Sequence, residues 1–166
     1  VTALAGRVET DRWPVRVEVP ALGAELPVEP VGLDAAGAVA IPASPEVVGW
    51  DRRTAVPGEP GTAVLAAHVD SRTEGLGAFA GLVELAVGDR VVLTDAGGRA
   101  AAWRVVGRVS VAKEELPVGR LSALHGPPVL ALVTCGGAFD PVARRYAENV
   151  IVWAVPVDGP GGAARS

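Results

Sequence analysis

The sequence predicts an all-β protein, either a β-sandwich or a β-barrel. Short apolar segments are separated by turn residues at intervals of about 8–12 residues. The 21 Gly and 14 Pro residues of the 166-residue chain leave no room for long helices. Apolar residues are continuous over 63–67, over 129–133 just before Thr134, and over 150–155. In an all-β chain, such strands favour a closed barrel with a filled interior.

The first half of the chain contains four candidate strands. Apolar and polar residues alternate over 15–19, a pattern typical of a half-buried strand between Pro14 and Pro20. Segment 26–33 contains two prolines and predicts at best a broken edge strand. A short strand is predicted at 39–42. A Pro- and Gly-rich turn at 56–62 then leads into the buried strand 63–67.

The second half contains four more strands and two short helices. Strands are predicted at the segments 90–94, 101–111, 129–134 and 149–157. Phe79, Leu82, Val83 and Leu85 stand near helical spacing, which predicts a helix over 76–85. A single helical turn is predicted at 119–124.

Length and composition limit the number of domains and the classes of function that are possible. A chain of 166 residues, 49% of them hydrophobic, fits one domain with a packed core. We expect a linker remnant at 1–12, one domain over 13–157 and a flexible Gly-rich tail at 158–166. The net charge of −4 provides no basic footprint for nucleic acid. The single cysteine excludes an intrachain disulfide and a multi-cysteine zinc site, and no metal or cofactor is expected.

The residue that most strongly suggests chemistry is Cys135. It directly follows the apolar strand 129–134 and precedes Gly136 and Gly137. A side chain at the end of a rigid strand is well positioned, and the glycines let a ligand approach the backbone closely. The competing interpretation is a small buried hydrophobe, a common role for a lone cysteine.

His68 follows the apolar strand 63–67 in the same way. If the two strands are neighbours and run in the same direction, His68 and Cys135 project from one rim of the sheet. A Cys–His pair supplies a thiolate nucleophile and a proton for a leaving group. The alternative is a turn histidine bonded to Asp70 or Ser71.

Two arginines precede the last strand. The forked donors of Arg144 or Arg145 could hold an oxyanion or a substrate carbonyl. Alternation places Arg145, Ala147 and Asn149 on one face of a regular strand and Arg144 on the other. Without a bulge only one of the two arginines faces the site. We prefer Arg145, with Arg144 as the alternative.

Several segments together resemble the sortase family. Segment 129–135 resembles the Leu-x-Thr-Cys signature of sortases, and 66–71 resembles their histidine motif. Segment 79–91, with Phe79, Leu82 and Gly88-Asp89, resembles a further sortase segment. Segments 47–50, 135–140 and 146–150 look most like class F sortases of actinobacteria. The resemblance runs from about Val15 to Ala154.

The resemblance implies a closed eight-stranded β-barrel with one or two short helices, and a cysteine transpeptidase. Such an enzyme cleaves an LPXTG-type sorting signal between Thr and Gly, forms a thioester and passes the acyl group to a cell-wall amine. By motif match Cys135 is the nucleophile and His68 the acid/base. The family's catalytic arginine maps near the start of the last strand, where the facing argument selects Arg145. Thr134, Gly136 and Arg144 are the candidate substrate-binding residues.

The resemblance also implies partners and a location. The partners are LPXTG-type sorting-signal peptides and the amine of a peptidoglycan precursor. A monomer is expected at the extracellular face of the plasma membrane or in the cell wall. Membrane contact is expected only through an N-terminal anchor removed together with the initiator Met. Three other functions stay open: a catalytically idle barrel that binds or supports structure at the cell surface, a hydrolase that only cuts the signal, and a thiol L,D-transpeptidase. The last family places Ser-His-Gly close before its cysteine, whereas His68 and Cys135 are 67 positions apart.

Overall fold

The computed structural model describes residues 10–71, 75–140, 142 and 145–157, and for 71, 75–76, 78, 135–140 and 145–147 it describes the backbone alone. Most of the predicted linker and the whole predicted tail lie outside the described residues. Among the described residues, no helix has the length and apolarity needed to span a membrane.

The described part of the chain forms ten strands. They are β1 (Pro14–Val19), β2 (Ala24–Val31), β3 (Val48–Asp51), β4 (Thr62–Ala66), β5 (Asp70–Ser71), β6 (Gly75–Leu76), β7 (Arg90–Asp95), β8 (Ala100–Ala112), β9 (Val129–Asp140) and β10 (Arg145–Pro156). Eight of them close into a barrel in the order β1-β2-β3-β4-β9-β10-β8-β7, and β5 and β6 make a separate two-stranded sheet. The predicted closed eight-stranded barrel is confirmed.

Short helices fill the connections. Among the described residues, three are 3₁₀ helices, η1 (Pro20–Leu22), η2 (Ala78–Glu84) and η3 (Lys113–Glu115), and one is a single α-helical turn, α1 (Val118–Leu121). The helices predicted at 76–85 and 119–124 correspond to η2 and α1. Phe79, Leu82 and Leu85 are buried against the barrel interior, so η2 closes part of the core.

The barrel strands β4, β9 and β10 separate two apolar layers. The interior core includes Trp50, Leu65, Leu130, Leu132 and Val152. A second group, which we call the outer cluster, comprises Ala66, Leu121, Ala131, Val133, Ile151 and Trp153. Because residues of both faces are buried, these strands are apolar at consecutive positions rather than at alternate ones.

Two early strands differ from their predictions. Val15 is exposed although the alternation predicted it to be buried, because the β1–β7 register shifts between Pro14 and Arg16. A β-bulge of this kind turns the extra residue away from the regular pattern. Strand β2 is not an edge strand, because its first half pairs with β1 and its second half with β3.

The predicted strand at 39–42 is wrong, and a real strand was missed. The described residues show only an isolated bridge between Leu33 and Val39 in that region. Strand β3, Val48–Asp51, is four residues long and contains Gly49. A strand this short carries too few alternating positions to stand out from a loop in the sequence.

The hairpin of β9 and β10 is longer than predicted. Strand β9 continues through Cys135 to Asp140, and β10 begins at Arg145. Cys135 therefore lies within β9 and not after its end. Continued pairing with β10 explains the extension, since Asn149 pairs with Cys135 and Tyr146 with Phe139.

Candidate active site

Strands β4 and β9 are adjacent and parallel, which satisfies the condition for bringing His68 and Cys135 together. Ala66 pairs with Val133, and each residue of β4 faces a residue of β9 that is 67 positions later in the chain. The same offset separates His68 from Cys135. Two parallel strands that lie side by side cannot be joined by a short turn and need a long crossover connection. The pairing of β4 with β9 is therefore set by the topology of the barrel.

Hydrogen bonds continue the pairing of β4 with β9 by one residue beyond the end of β4. The Ala67 amide donates to the Val133 carbonyl at 3.2 Å. The Thr134 hydroxyl donates to the Ala67 carbonyl at 2.8 Å. Continued by one residue, this register predicts His68 beside Cys135, at the spacing of about 4.8 Å between neighbouring strands.

Both positions belong to the outer face of the barrel wall. Ala66 and Val133, two residues before His68 and Cys135, are members of the outer cluster. Alternation along a strand places every second residue on the same face. His68 itself is partly buried. The candidate site thus lies where the outer cluster meets the end of the β4–β9 ladder.

Strand β10 adds a further residue to this row. Asn149 pairs with Cys135 on one side and with Val111 of β8 on the other. Val111 packs against the outer cluster, which fixes the face of this row. Cys135, Asn149 and Val111 thus pair side by side across three strands, and the continued β4–β9 register predicts His68 at the end of this row. In the sequence, Asn149 served only to assign Arg145 to one face of the strand. Its pairing with Cys135 follows from the register of the β9–β10 hairpin, which the sequence does not show.

The predicted substrate-binding residues in β9 have different environments. Thr134 is 3% exposed, and its hydroxyl is engaged with the Ala67 carbonyl. That hydrogen bond holds the two strands together next to the candidate site. Gly136 pairs with Glu148 and directly follows Cys135 along the strand.

The arginines stand further away along the chain. Arg145 begins β10 opposite Asp140, four residues before Asn149. That separation corresponds to about 13 Å of strand. The β9–β10 hairpin contains a bulge, and its extra residue is on β9 between Gly136 and Phe139. The alternation of faces along β10 is therefore uninterrupted. Arg144 lies outside the described residues.

The outer cluster continues from this row along β10 beneath α1. Leu121 of α1 belongs to the cluster, and Ile41 and Leu116 pack against it. The Arg120 guanidinium lies 3.9 Å from the centre of the Trp153 ring. The arrangement therefore offers a thiol and an imidazole at the end of an apolar surface.

A cavity of about 210 Å³ lies at the other end of the barrel. Its lining includes Asp95 at the end of β7, Ala100 at the start of β8 and Pro156 at the end of β10. Trp103 also lines it, and the buried indole N–H of Trp103 has no hydrogen-bond partner among the described residues. None of the predicted site residues lines this cavity.

Comparison with known proteins agrees with the barrel fold. Residues 17–157 match the model of the sortase domain family. The structure is similar to sortase C-1 from Actinomyces oris, with a TM-score of 0.66 and 24% identity over 87% of this chain and 74% of that one. It is similar to a lid mutant of Corynebacterium diphtheriae sortase A, with a TM-score of 0.66 and 21% identity over 87% of this chain and 71% of that one.

A lid mutant of Streptococcus agalactiae sortase C1 gives a TM-score of 0.64 and 24% identity over 86% of this chain and 68% of that one. No curated protein matches the chain. At these identities the solved structures show the fold, and the family match covers most of the sequence. The chain belongs to the sortase family.

Proposed function

We propose that this protein is a cysteine transpeptidase that cleaves LPXTG-type sorting signals through a thioester on Cys135. The acyl group then passes to an amine of the cell wall. One observation carries the proposal: the parallel pairing of β4 with β9 sets residues 67 apart side by side. Continued by two residues past Ala66 and Val133, that offset would put the single cysteine of the chain beside His68. Membership of the sortase family supports the same chemistry.

The proposed reaction has two acyl-transfer steps. The Cys135 thiolate attacks the Thr carbonyl carbon, a C–S bond forms, and the carbonyl electron pair moves to oxygen. The C–N bond then breaks, and protonated His68 gives its proton to the leaving amine. In the second step an acceptor amine attacks the thioester, neutral His68 takes the proton of that amine, and the thiolate leaves.

The remaining site residues have supporting roles in this proposal. Arg145 holds a carbonyl of the sorting peptide at a distance from Cys135, with Arg144 as the alternative. Gly136 leaves space for the peptide backbone beside the nucleophile. Thr134 acts through its bond to the Ala67 carbonyl, which fixes the backbone before His68.

The wider biological setting is also a proposal. We assign the chain to class F of actinobacteria on the segments around Trp50, Cys135 and Tyr146. The domain of residues 13–157 would work as a monomer outside the plasma membrane, held by an N-terminal anchor through the linker at 1–12. Sorting-signal proteins and a peptidoglycan precursor would be its partners.

Product analysis tests the proposed function. The protein is incubated with an LPXTG-containing peptide and a panel of amines, and products are identified by mass spectrometry. The expected result is cleavage between Thr and Gly with ligation to an amine, lost in Cys135→Ala and His68→Ala. Hydrolysis without ligation would indicate a hydrolase. An intact peptide together with slow iodoacetamide labelling of Cys135 would indicate an idle module.

Kinetic comparison of the two arginines tests the choice between them. We expect Arg145→Ala to lower kcat/KM for the peptide by about 10²-fold or more, because a charge-assisted donor to the peptide is lost. Alternation along a regular strand predicts Arg144 on the other face, so Arg144→Ala should change kcat/KM by less than about threefold. Equal losses in the two variants would contradict the assignment of Arg145.

A further inference from the structure

We propose that the side-chain amide of Asn149 is an oxyanion donor of this site. It would stabilise the negative charge that develops on the substrate carbonyl when Cys135 attacks. The inference rests on the proposed use of Cys135 as a nucleophile. It adds a catalytic residue that neither the sequence motifs nor the arginine assignment supplied.

The first support is position. Asn149 is the direct pairing partner of Cys135 in the antiparallel β9–β10 ladder. Directly opposed residues of such a ladder have Cβ atoms about 4.5–5.5 Å apart on the same face. A carbonyl carbon bonded to the cysteine sulfur would hold its oxygen within reach of an amide on the opposed residue.

The second support is that the amide is available. No side-chain hydrogen bond of Asn149 occurs within the part of the chain that the structure describes, and the residue is partly buried. The Asn amide nitrogen carries two N–H donors. On its other side Asn149 faces Val111, an apolar residue packed against the outer cluster. A donor at such an apolar border stabilises charge more than one in open water does.

The third support is the distance of the arginine. Arg145 is four residues from Asn149 along β10, which is about 13 Å of strand. An arginine at that distance suits a more remote carbonyl of the peptide. Asn149 stands beside the reacting bond. Arg145 would therefore position the substrate, and Asn149 would stabilise the developing charge.

The step is balanced without any other group. The thiolate forms the C–S bond and the carbonyl π pair becomes the lone pair of the oxyanion, which accepts an N–H from Asn149. When the C–N bond breaks, that pair returns to re-form the carbonyl, and the leaving amine takes its proton from His68. Asn149 is unchanged at the end of the cycle.

The test compares two reagents that modify Cys135. The ester p-nitrophenyl acetate acylates the thiolate through an oxyanion, whereas iodoacetamide alkylates it without one. Asn149→Ala and Asn149→Asp both remove the donor, and Asp keeps the shape of the side chain. Glu148→Gln is the matched control, since Glu148 is the adjacent residue on the other face and pairs with Gly136. Thermal melting confirms that each variant is folded.

We expect both Asn149 variants to lower the ratio of the acylation rate to the alkylation rate by at least about tenfold. For an LPXTG peptide we expect kcat to fall by about 10²–10³-fold with little change in KM, as for the loss of one oxyanion donor. Glu148→Gln should leave the acylation-to-alkylation ratio within about twofold of the wild-type value.

Equal falls in acylation and alkylation would overturn the inference, because they would indicate an effect on the thiolate and not on an oxyanion. An unchanged ratio would overturn it as well. If the ester reaction depends on Asn149 but no LPXTG peptide is cleaved, the inference stands and the proposed substrate fails.

Discussion

Thr134 connects the two halves of the candidate site through one hydrogen bond. Its hydroxyl donates to the carbonyl of Ala67, the residue before His68, while its own backbone leads directly to Cys135. The side chain is 3% exposed, so little solvent competes for this bond. The predicted apposition of His68 and Cys135 therefore depends on Thr134, a residue that the sortase resemblance assigned to substrate binding.

Replacing Thr134 by Val should loosen this connection. The variant keeps the side-chain shape but leaves the buried Ala67 carbonyl without that donor, so we expect the free energy of unfolding to fall by about 1–3 kcal/mol. We also expect kcat to fall, because the position of His68 becomes less fixed. Chemical denaturation and peptide cleavage measure the two effects.

Thr62 provides a matched control at the other end of the same strand pair. Thr62 pairs with Val129, is 4% exposed, and makes no side-chain hydrogen bond within the described part of the chain. Thr62→Val should therefore change stability by no more than about 0.5 kcal/mol. A Thr134→Val protein as stable and active as Thr62→Val would contradict the role of the Thr134 hydrogen bond.

At the scale of elements, the loop before β4 holds the start of that strand in register. The Gly61 amide donates to the Gly126 carbonyl at 3.1 Å, and the Val129 amide donates to the Gly61 carbonyl at 2.9 Å. Gly61 has φ of +102°, and a Cβ there would meet the Ala123 carbonyl oxygen. Both the backbone conformation and the close approach require glycine.

Gly61→Ala should therefore be strongly destabilising. Gly58 has a similar φ of +94° but open space around a Cβ, so Gly58→Ala measures the conformational cost alone. We expect Gly58→Ala to cost about 1–2 kcal/mol and Gly61→Ala clearly more, because the loop must also move away from Ala123. Thermal or urea unfolding of the pair decides this. Similar losses of stability in the two variants would contradict this prediction, because the loop would then move away from Ala123 at little cost in free energy.

Element prediction succeeded where local pattern and burial agree. The continuous apolar segments 63–67 and 129–133 became β4 and the first half of β9, because both of their faces are covered. It failed where tertiary pairing decides. Strand β2 tolerates two prolines because each half has one partner, and β9 extends to Asp140 because β10 pairs with it. Those partners are distant in sequence, so no local pattern shows them.

At the scale of the whole molecule, barrel closure assembles the candidate site from three separate parts of the chain. His68 follows β4, Cys135 lies within β9 and Asn149 lies within β10. The sequence predicted the Cys–His pair because each residue follows an apolar strand. It did not reveal the place of Asn149, because that depends on the register of the β9–β10 hairpin.

An engineered disulfide tests this assembly. Because the chain has one cysteine, His68→Cys creates one possible intrachain pair. Neighbouring strands are about 4.8 Å apart, which lies within the Cα separation that a disulfide allows. We expect mild oxidation to form the bond to Cys135, seen as a loss of two free thiols without dimerisation.

His125→Cys serves as the control for that experiment. His125 precedes the start of β9 and lies next to Gly126, which contacts the loop before β4. It is thus about 20 Å along the strand from Cys135, and His125→Cys should keep both thiols. A reduced His68→Cys protein would contradict the proposed apposition.

The central claim is that Cys135 carries the acyl group of a sorting signal, and intact-protein mass spectrometry tests it most directly. The protein is mixed with an LPXTG peptide without an amine acceptor, quenched in acid and mapped by proteolysis. We predict an added mass equal to the peptide up to its Thr, located on Cys135, released by hydroxylamine and absent in Cys135→Ala. An acyl group on another residue, or peptide cleavage that persists in Cys135→Ala, would contradict it.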